Sequence, residues 1–495
     1  MRMPEPDAAV IAARAELVAA LRAIVPGEGV IEEERELLAY ETDGLTAYRE
    51  LPMLVVLPET TEQVAAVLKL CHGRGVKIVP RGAGTGLSGG ALPLRDGVTL
   101  GLGRFNRILE IDYDNLCVVT QPGVTNLAIT RAVEDQGFYY APDPSSQIAC
   151  SIGGNVAENS GGVHCLKYGV TTNNITGVEL VTMAGDVLRI GGRHADPAGY
   201  DLLGVITGSE GLLGVITEVT VKIRPKPECT RAALLGFPSI RAGATCVSRV
   251  ISEGIIPAGM EMMDKFAIEA AEAFAHAGYP LDAESLLIVE LDGTVSEVDD
   301  GMERVIAIAR ECDATHVREN ADEAERERFW SGRKAAFPAM GRLSPDYICM
   351  DGTIPRGRLP DVLDGITALS RKHDLRVANV FHAGDGNLHP LILYDANDSD
   401  QLARAEAFGA DILKLCVAEG GVLSGEHGIG VEKRDLMPTM FDDTDLKHQQ
   451  RLKCAFDPDG LLNPGKMFPE LHRCAELGKM HVHHGKLPFP DLPRF

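Results

Sequence analysis

Residues 79–91 read Val-Pro-Arg-Gly-Ala-Gly-Thr-Gly-Leu-Ser-Gly-Gly-Ala, and this stretch decides the fold. Gly84, Gly86 and Gly89 match the spacing G-x-G-x-x-G. A dinucleotide-binding turn of the Rossmann kind must run straight into a helix. Here Gly90-Ala91-Leu92-Pro93 and Arg95-Asp96-Gly97 follow, which cannot start a long helix. The loop is therefore free-standing. With few Cβ atoms in the way, its backbone N–H groups can close on an anion, and the pyrophosphate of a dinucleotide is the natural candidate.

Upstream, residues 53–80 read as strand, helix, strand, with Thr60 or Thr61 as helix cap. Downstream come short strands at 97–102, 117–123 and 175–183. At Val215–Ile223, alternation puts Val215, Val219, Val221 and Ile223 on one side and Glu218, Thr220 and Lys222 on the other, the pattern of a half-buried strand. Arg224-Pro225-Lys226-Pro227 ends that pattern and marks a domain boundary. Two further glycine-rich stretches lie nearby, Ser151–Gly162 and Gly208–Gly214. Three such stretches in one α/β segment call for close backbone approach to something large, and a flavin dinucleotide fits. Beyond residue 228, short strands alternate with amphipathic helices, and from about 400 the chain reads as helical, broken at Glu419-Gly420-Gly421 and at Pro458.

The whole chain sets bounds on this reading. It has 495 residues, 45% apolar and 24% charged, ordinary for a globular protein of several domains. A net charge of −23 argues against nucleic acid and against direct binding to an anionic membrane. No stretch reaches the roughly 20 apolar residues of a membrane span, and the first residues read as an amphipathic helix and not a signal peptide, so a cytoplasmic location is expected. The 11 cysteines contain no C-x-x-C pair, which argues against zinc ribbons and against an iron–sulfur cluster held by this chain.

A second signal is Phe381-His382-Ala383-Gly384-Asp385-Gly386-Asn387-Leu388-His389, flanked by apolar runs. Asp-Gly is a two-residue hairpin signal. With Asp385-Gly386 as the turn, His382 would stand opposite His389, close enough for both imidazoles to reach one ion. The turn Ser424-Gly425-Glu426-His427-Gly428 offers a carboxylate with a histidine beside it. Two histidines and a carboxylate make a metal site with open positions; two polar hairpin residues and an unrelated acidic turn are the plainer alternative.

Residues 79–91, 142–162 and 207–225, in that order, resemble the FAD-binding domain of the vanillyl-alcohol-oxidase-type flavoproteins. HAGDGNLH (382–389) and SGEHGIG (424–430) are similar to the paired motifs of the FAD-linked D-2-hydroxyacid dehydrogenases. Residues 334–356, 376–393, 455–466 and 481–495 extend the likeness over nearly the whole length. The resemblance implies an α+β chain: an N-terminal helical segment (1–49), a two-subdomain FAD-binding domain (50–227), an α+β substrate or cap domain (228–419), and a helical C-terminal region (420–495) that returns to the flavin and ends in an irregular tail. It implies FAD held by Pro80, Arg81, Gly82, Ala83, Gly84, Thr85, Gly86, Ser88, Pro142, Ser146, Gly153, Gly154, Asn155, Asn159, Ser160, Gly161, Gly162, Gly211, Ile216 and Asn463. Some members attach the flavin through a histidine in the first loop. Residues 81–90 have none, so noncovalent FAD is expected.

It further implies that His382, His389 and Glu426 bind a divalent metal, zinc or manganese, that His427 is the base, and that Arg333 clamps the substrate carboxylate. Relatives that oxidise dicarboxylates carry a threonine and a lysine where Phe337 and, with a one-residue shift, Cys349 stand here. The expected activity is oxidation of a small 2-hydroxy acid: glycolate, or D-lactate as the alternative, with a noncatalytic FAD-containing subunit as the rival reading. The implied partners are a second FAD-domain subunit and an iron–sulfur subunit, which would bring the chain to the inner face of the membrane. His481, His483 and His484 in the tail are candidates for docking one of them.

Overall fold

The computed structural model describes residues 3–194 and 199–469. Its first sheet is built from β1 (Val30–Ile31), β2 (Leu54–Val56), β3 (Lys77–Arg81) and β4 (Gly97–Gly101), in the order β1-β2-β4-β3. The helix Thr61–Gly73 connects β2 to β3. Thr60 caps it by accepting from Gln63 N, and Val64, Val67, Leu68 and Cys71 form its buried stripe at helical spacing. β3 and β4 are parallel neighbours, yet no helix lies between them. Residues 82–96 make that crossover as a glycine loop, so the loop hangs from the end of β3 over the sheet edge.

A second sheet uses β5 (Ile108–Asp112), β6 (Cys117–Thr120), β8 (Ile175–Val181), β9 (Val187–Gly191) and β10 (Val215–Lys222), ordered β5-β6-β10-β8-β9, while β7 (Phe138–Tyr139) pairs with β11 (Arg224–Pro225). The half-buried expectation for 215–223 is corrected here. β10 is paired on both edges, by β6 and β8, and it is buried on both faces: Thr217 and Thr220 are buried alongside the valines. A register shift beside Glu218 leaves that side chain only partly covered.

The third sheet runs β15-β12-β14-β13-β17-β18-β16, made of β12 (Cys229–Phe237), β13 (Gly259–Asp264), β14 (Ser285–Gly293), β15 (His316–Glu319), β16 (Asp346–Cys349), β17 (Val377–His382) and β18 (Pro390–Tyr394). One face packs on helices Ile240–Ser252, Val295–Glu311, Leu359–His373 and Ser399–Ala418, the other on Lys265–Ala275 and Glu323–Met340. That is why 285–293 is apolar without alternation: Leu287 and Val289 face one layer, Leu286 and Ile288 the other. After the helix Asp443–Phe456 the chain turns back to the first sheet. Leu462 lies beside Ile78, with Ile78 N donating to Leu461 O (2.8 Å) and Asn463 N to Ile78 O (2.7 Å).

The hairpin after β17 differs from the sequence reading. Asn379 stands opposite Pro390 and His382 opposite Asn387, so the turn holds Ala383, Gly384, Asp385 and Gly386. Asp385 Oδ1 accepts from Asn387 N (3.0 Å), Gly386 sits at φ +83° and donates to His382 O, and Gly384 N donates to Met260 O. These contacts widen the expected two-residue turn to four. The pairing slips by two positions, and because side chains alternate with period two, both histidines stay on one face. Among the described residues no helix is long and apolar enough to cross a membrane. The tail histidines His481, His483 and His484 lie outside the described residues.

Candidate active site

A cavity of about 420 Å³ opens between the glycine loop, the second sheet and the third sheet. One wall is mostly backbone: Pro80, Arg81, Gly82, Ala83, Gly84, Thr85 and Gly86 from the loop, Ser146, Gly153, Gly154, Asn155 and Ser160 from the 142–162 segment, then Gly211 and Ile216. The second glycine stretch forms the short helix Ile152–Glu158, with Ser151 accepting from Gly154 N at its start. Gly84 needs its lack of a side chain: at φ +72° a Cβ there would fall 2.2 Å from the Arg81 guanidinium, which folds beneath the loop. Arg81 donates to Thr42 O (2.8 Å) and lies over the Tyr40 ring.

The other sequence-derived cofactor residues stand behind this wall. Ser88 is buried, its carbonyl accepting from Val431 N and Glu432 N. Pro142 O accepts from Asn126 Nδ2, and Asn159, left-handed at φ +55°, accepts from Thr172 N. Gly161 N donates to Glu426 Oε2 (3.0 Å), and Gly162, at φ +140°, packs on the Asp143 carbonyl. Asn463 donates from Nδ2 to Gly90 O and Glu210 O, which joins the returning chain to two glycine turns.

The opposite wall is made of side chains. Arg333, His389, Glu426 and His427 line it, with Phe337 beside them. His389 Nε2 lies 3.0 Å and His382 Nε2 3.3 Å from the same oxygen, Glu426 Oε1. The two rings are 5.0 Å apart. Each Nδ1 is held from behind, that of His382 by Glu261 Oε1 (2.6 Å) and that of His389 by the Met350 carbonyl (3.2 Å). An imidazole bonded at Nδ1 to an acceptor presents its Nε2 lone pair outward, which is how metal-binding histidines are oriented. The three donor atoms lie within 4.8 Å of one another. Nitrogen, nitrogen and carboxylate oxygen suit a zinc- or manganese-type cation, so the residues fit the expected metal.

A second group, Cys349, His389 and His427, also comes together. Burial pushes the Cys349 thiol up, away from the thiolate a metal needs. For the first group, burial opposes charge on Glu426, yet the two imidazoles hold it well below the usual carboxylate range. The His427 ring stacks on His389 with centroids 5.1 Å apart, and its Nδ1 is enclosed without a hydrogen-bond partner. Burial is the main cause that brings its pKa down to about 4, so near neutral pH the ring is uncharged and able to take a proton.

Two acids hold this corner that the sequence reading missed. Glu261 is directly opposite His382 across β13 and β17 and binds Arg333 through Nε (2.8 Å) and Nη2 (2.7 Å). It therefore orients a histidine and the arginine together. Its sequence signal was an acid set among the apolar Met260, Met262 and Met263 in the strand Gly259–Asp264. Asp351 accepts from the backbone N–H of Gly425, Glu426 and His427, with Ser424 Oγ as a fourth donor. This fixes the turn that carries the carboxylate and the third histidine.

A backbone wall for a dinucleotide facing a histidine–carboxylate corner defines a flavin-dependent oxidoreductase. The chain belongs to the FAD-linked oxidases: residues 52–191 match an FAD binding domain and 226–467 the FAD linked oxidases, C-terminal domain. It is 58% identical to glycolate oxidase subunit GlcD of Escherichia coli (strain K12), covering 97% of each chain. It is 40% identical to the subunit of the same name from Bacillus subtilis (strain 168), over 87% of this chain and 92% of that one. A probable mitochondrial D-lactate dehydrogenase of Danio rerio is 30% identical over 91% of each. Among solved structures, 4-ethylphenol oxidase from Gulosibacter chungangensis superposes with TM-score 0.79 at 17% identity, covering 95% of this chain and 99% of that one. p-Cresol methylhydroxylase gives 0.77 at 17%, covering 93% and 97%. At these identities the two structures establish the vanillyl-alcohol-oxidase-type fold alone.

Proposed function

We propose that this chain oxidises a small 2-hydroxy acid, glycolate before D-lactate, to the 2-oxo acid, using noncovalently bound FAD. The observation that carries this reading is the convergence of His389, Glu426, His427 and Arg333 on one wall of the cavity whose other wall is glycine-rich backbone. FAD supplies the acceptor for a hydride from the substrate α-carbon. His382, His389 and Glu426 hold a divalent cation, which supplies Lewis acidity toward the substrate oxygens. His427 takes the hydroxyl proton. Arg333, fixed by Glu261 on two of its nitrogens, offers its remaining N–H groups to the substrate carboxylate.

The preference for glycolate is supported by the higher identity to the GlcD proteins than to the D-lactate dehydrogenase. It is also supported by Phe337 on the cavity wall, an apolar side chain that offers no charge to a second carboxylate. The FAD-binding part is taken as residues 50–227, the substrate part as 228–419, and 420–495 as the returning region that brings Glu426 and His427. The subunit name of the GlcD relatives supports partners. A second FAD-domain subunit and an iron–sulfur subunit would take the electrons on and attach the chain peripherally to a membrane. Anaerobic mixing of the purified chain with glycolate, D-lactate and a 2-hydroxy dicarboxylate tests the substrate class. Glycolate should bleach the flavin fastest and the dicarboxylate slowest; fastest reduction by the dicarboxylate would overturn the reading.

A further inference from the structure

Glu158 ends the short helix on the cofactor wall, borders the cavity, and has no part in the chemistry above. Its Oε2 is enclosed and has no hydrogen-bond partner. Its Oε1 borders Gly90 on the cavity wall: a Cβ at Gly90 would meet it at 2.9 Å. Across Gly428, the residue after the third histidine, stands a second carboxyl group. A Cβ at Gly428 would lie 2.1 Å from Glu158 Oε2 and 3.0 Å from Glu210 Oε1. The two acids therefore face one another over a single glycine.

Their surroundings are unequal. Glu210 accepts from Ile429 N (2.7 Å) and Gly430 N (2.7 Å), donors that favour the ionised form. Glu158 has no such donors. The two buried lysines nearby are committed elsewhere. Lys433 Nζ binds Gly428 O (2.9 Å) and Glu432 (3.0 Å), with Asp351 at 3.6 Å, and Lys466 Nζ binds Leu92 O and Asn463 Oδ1, both at 2.7 Å. Asp43 and Asp351 add further negative charge around Glu158, against which Lys433 acts in the opposite sense. An enclosed carboxyl without donors, set against a carboxylate, keeps its proton. Burial, then Glu210, push its pKa well above the usual carboxylate range, which agrees with the geometry.

We propose that Glu158 is a neutral carboxylic acid whose O–H donates a hydrogen bond to the bound FAD, with Glu210 keeping it protonated, and that this bond raises the cofactor's reduction potential. A donor favours the more electron-rich, reduced form of a ring. The proposal rests on FAD occupying this cavity, and the visible spectrum of the wild-type holoprotein checks that separately.

The test is the reduction potential of the holoprotein, read by anaerobic spectral titration against reference dyes, in wild type, E158Q and E158M. Glutamine is neutral and keeps an N–H donor, so its potential should stay at the wild-type value. Methionine keeps the bulk and loses the donor. Its potential should fall, with the ratio of affinities for reduced and oxidised FAD dropping about tenfold, roughly 30 mV for a two-electron couple. A rise in E158Q, as expected for removing a negative charge, would overturn the proposal, and so would an unchanged potential in E158M. If E158M does not fold, infrared difference spectra of wild type and E158Q decide. A protonated-carboxyl band that shifts on flavin reduction and vanishes in E158Q supports the proposal, and its absence in wild type refutes it.

Discussion

The two walls of the cavity are built on opposite plans. The cofactor wall is mostly backbone, supplied by three local glycine-rich stretches, each continuous in sequence. The facing wall is side chains: Arg333 from a helix, His389 from beyond a hairpin, Glu426 and His427 from a turn, with His382, from a strand, bonded to Glu426. They are held in place by Glu261 and Asp351, with His382 and Glu261 121 positions apart in sequence. A surface of backbone amides serves a large anion by shape and dipoles. A corner of imidazoles and carboxylates serves proton transfer and cation binding, and there orientation matters most.

If that division is right, changes to the two walls should fail differently. The largest effect belongs to the base. His427→Ala should slow anaerobic reduction of the flavin by about 10²- to 10⁴-fold, with the yellow FAD spectrum retained; loss of the flavin would join the two walls into one function. Next comes the support behind the ligands. Glu261→Gln should weaken binding of the divalent cation about 10- to 100-fold, read by metal titration, with FAD affinity unchanged. On the backbone wall, Gly162→Ala should cost about 1–3 kcal/mol of stability, read by denaturant unfolding. Its Cβ would lie 2.5 Å from the Asp143 carbonyl at φ +140°, with only backbone to give way.

The smallest effect concerns the junction between the walls. His164 lies between Asp143 (2.9 Å) and Glu290 (3.1 Å) and so ties the 142–162 segment to β14. Burial alone would lower its pKa, but the two carboxylates push it well above the ordinary value. A raised folded-state pKa gives stability that is full below the unfolded value of about 6.5 and is lost as pH rises through the folded one. The melting temperature should therefore fall as pH rises beyond that range, and His164→Gln should flatten the fall.

The same division explains what the sequence disclosed. Glycine loops are legible because the need for backbone approach is written locally, and the absence of a helix after Gly90 excluded the Rossmann turn correctly. The paired histidines were legible as a motif, and the expected register was wrong by two because Asp385 and Gly386 close a wider turn around the Met260 carbonyl contact. That error was harmless only because it was even. Ser88 and Asn463, which the resemblance assigns to the cofactor, make hydrogen bonds that join segments behind the wall. Glu261 and Asp351 were missed because each acts on groups far away in sequence, a relation that no local spacing records. Glu158 sat inside a recognised motif and was passed over because glycines and asparagines explained that motif without it.

One measurement tests directly whether both walls serve one reaction: the absorbance of the anaerobic holoprotein before and after glycolate, in wild type and in Glu426→Gln. Wild type should bleach. The variant should stay yellow, since its flavin wall is intact while the carboxylate shared by His382 and His389 is gone. Bleaching of Glu426→Gln at the wild-type rate would contradict the account, because oxidation would then proceed without the corner that the structure assembles around that carboxylate.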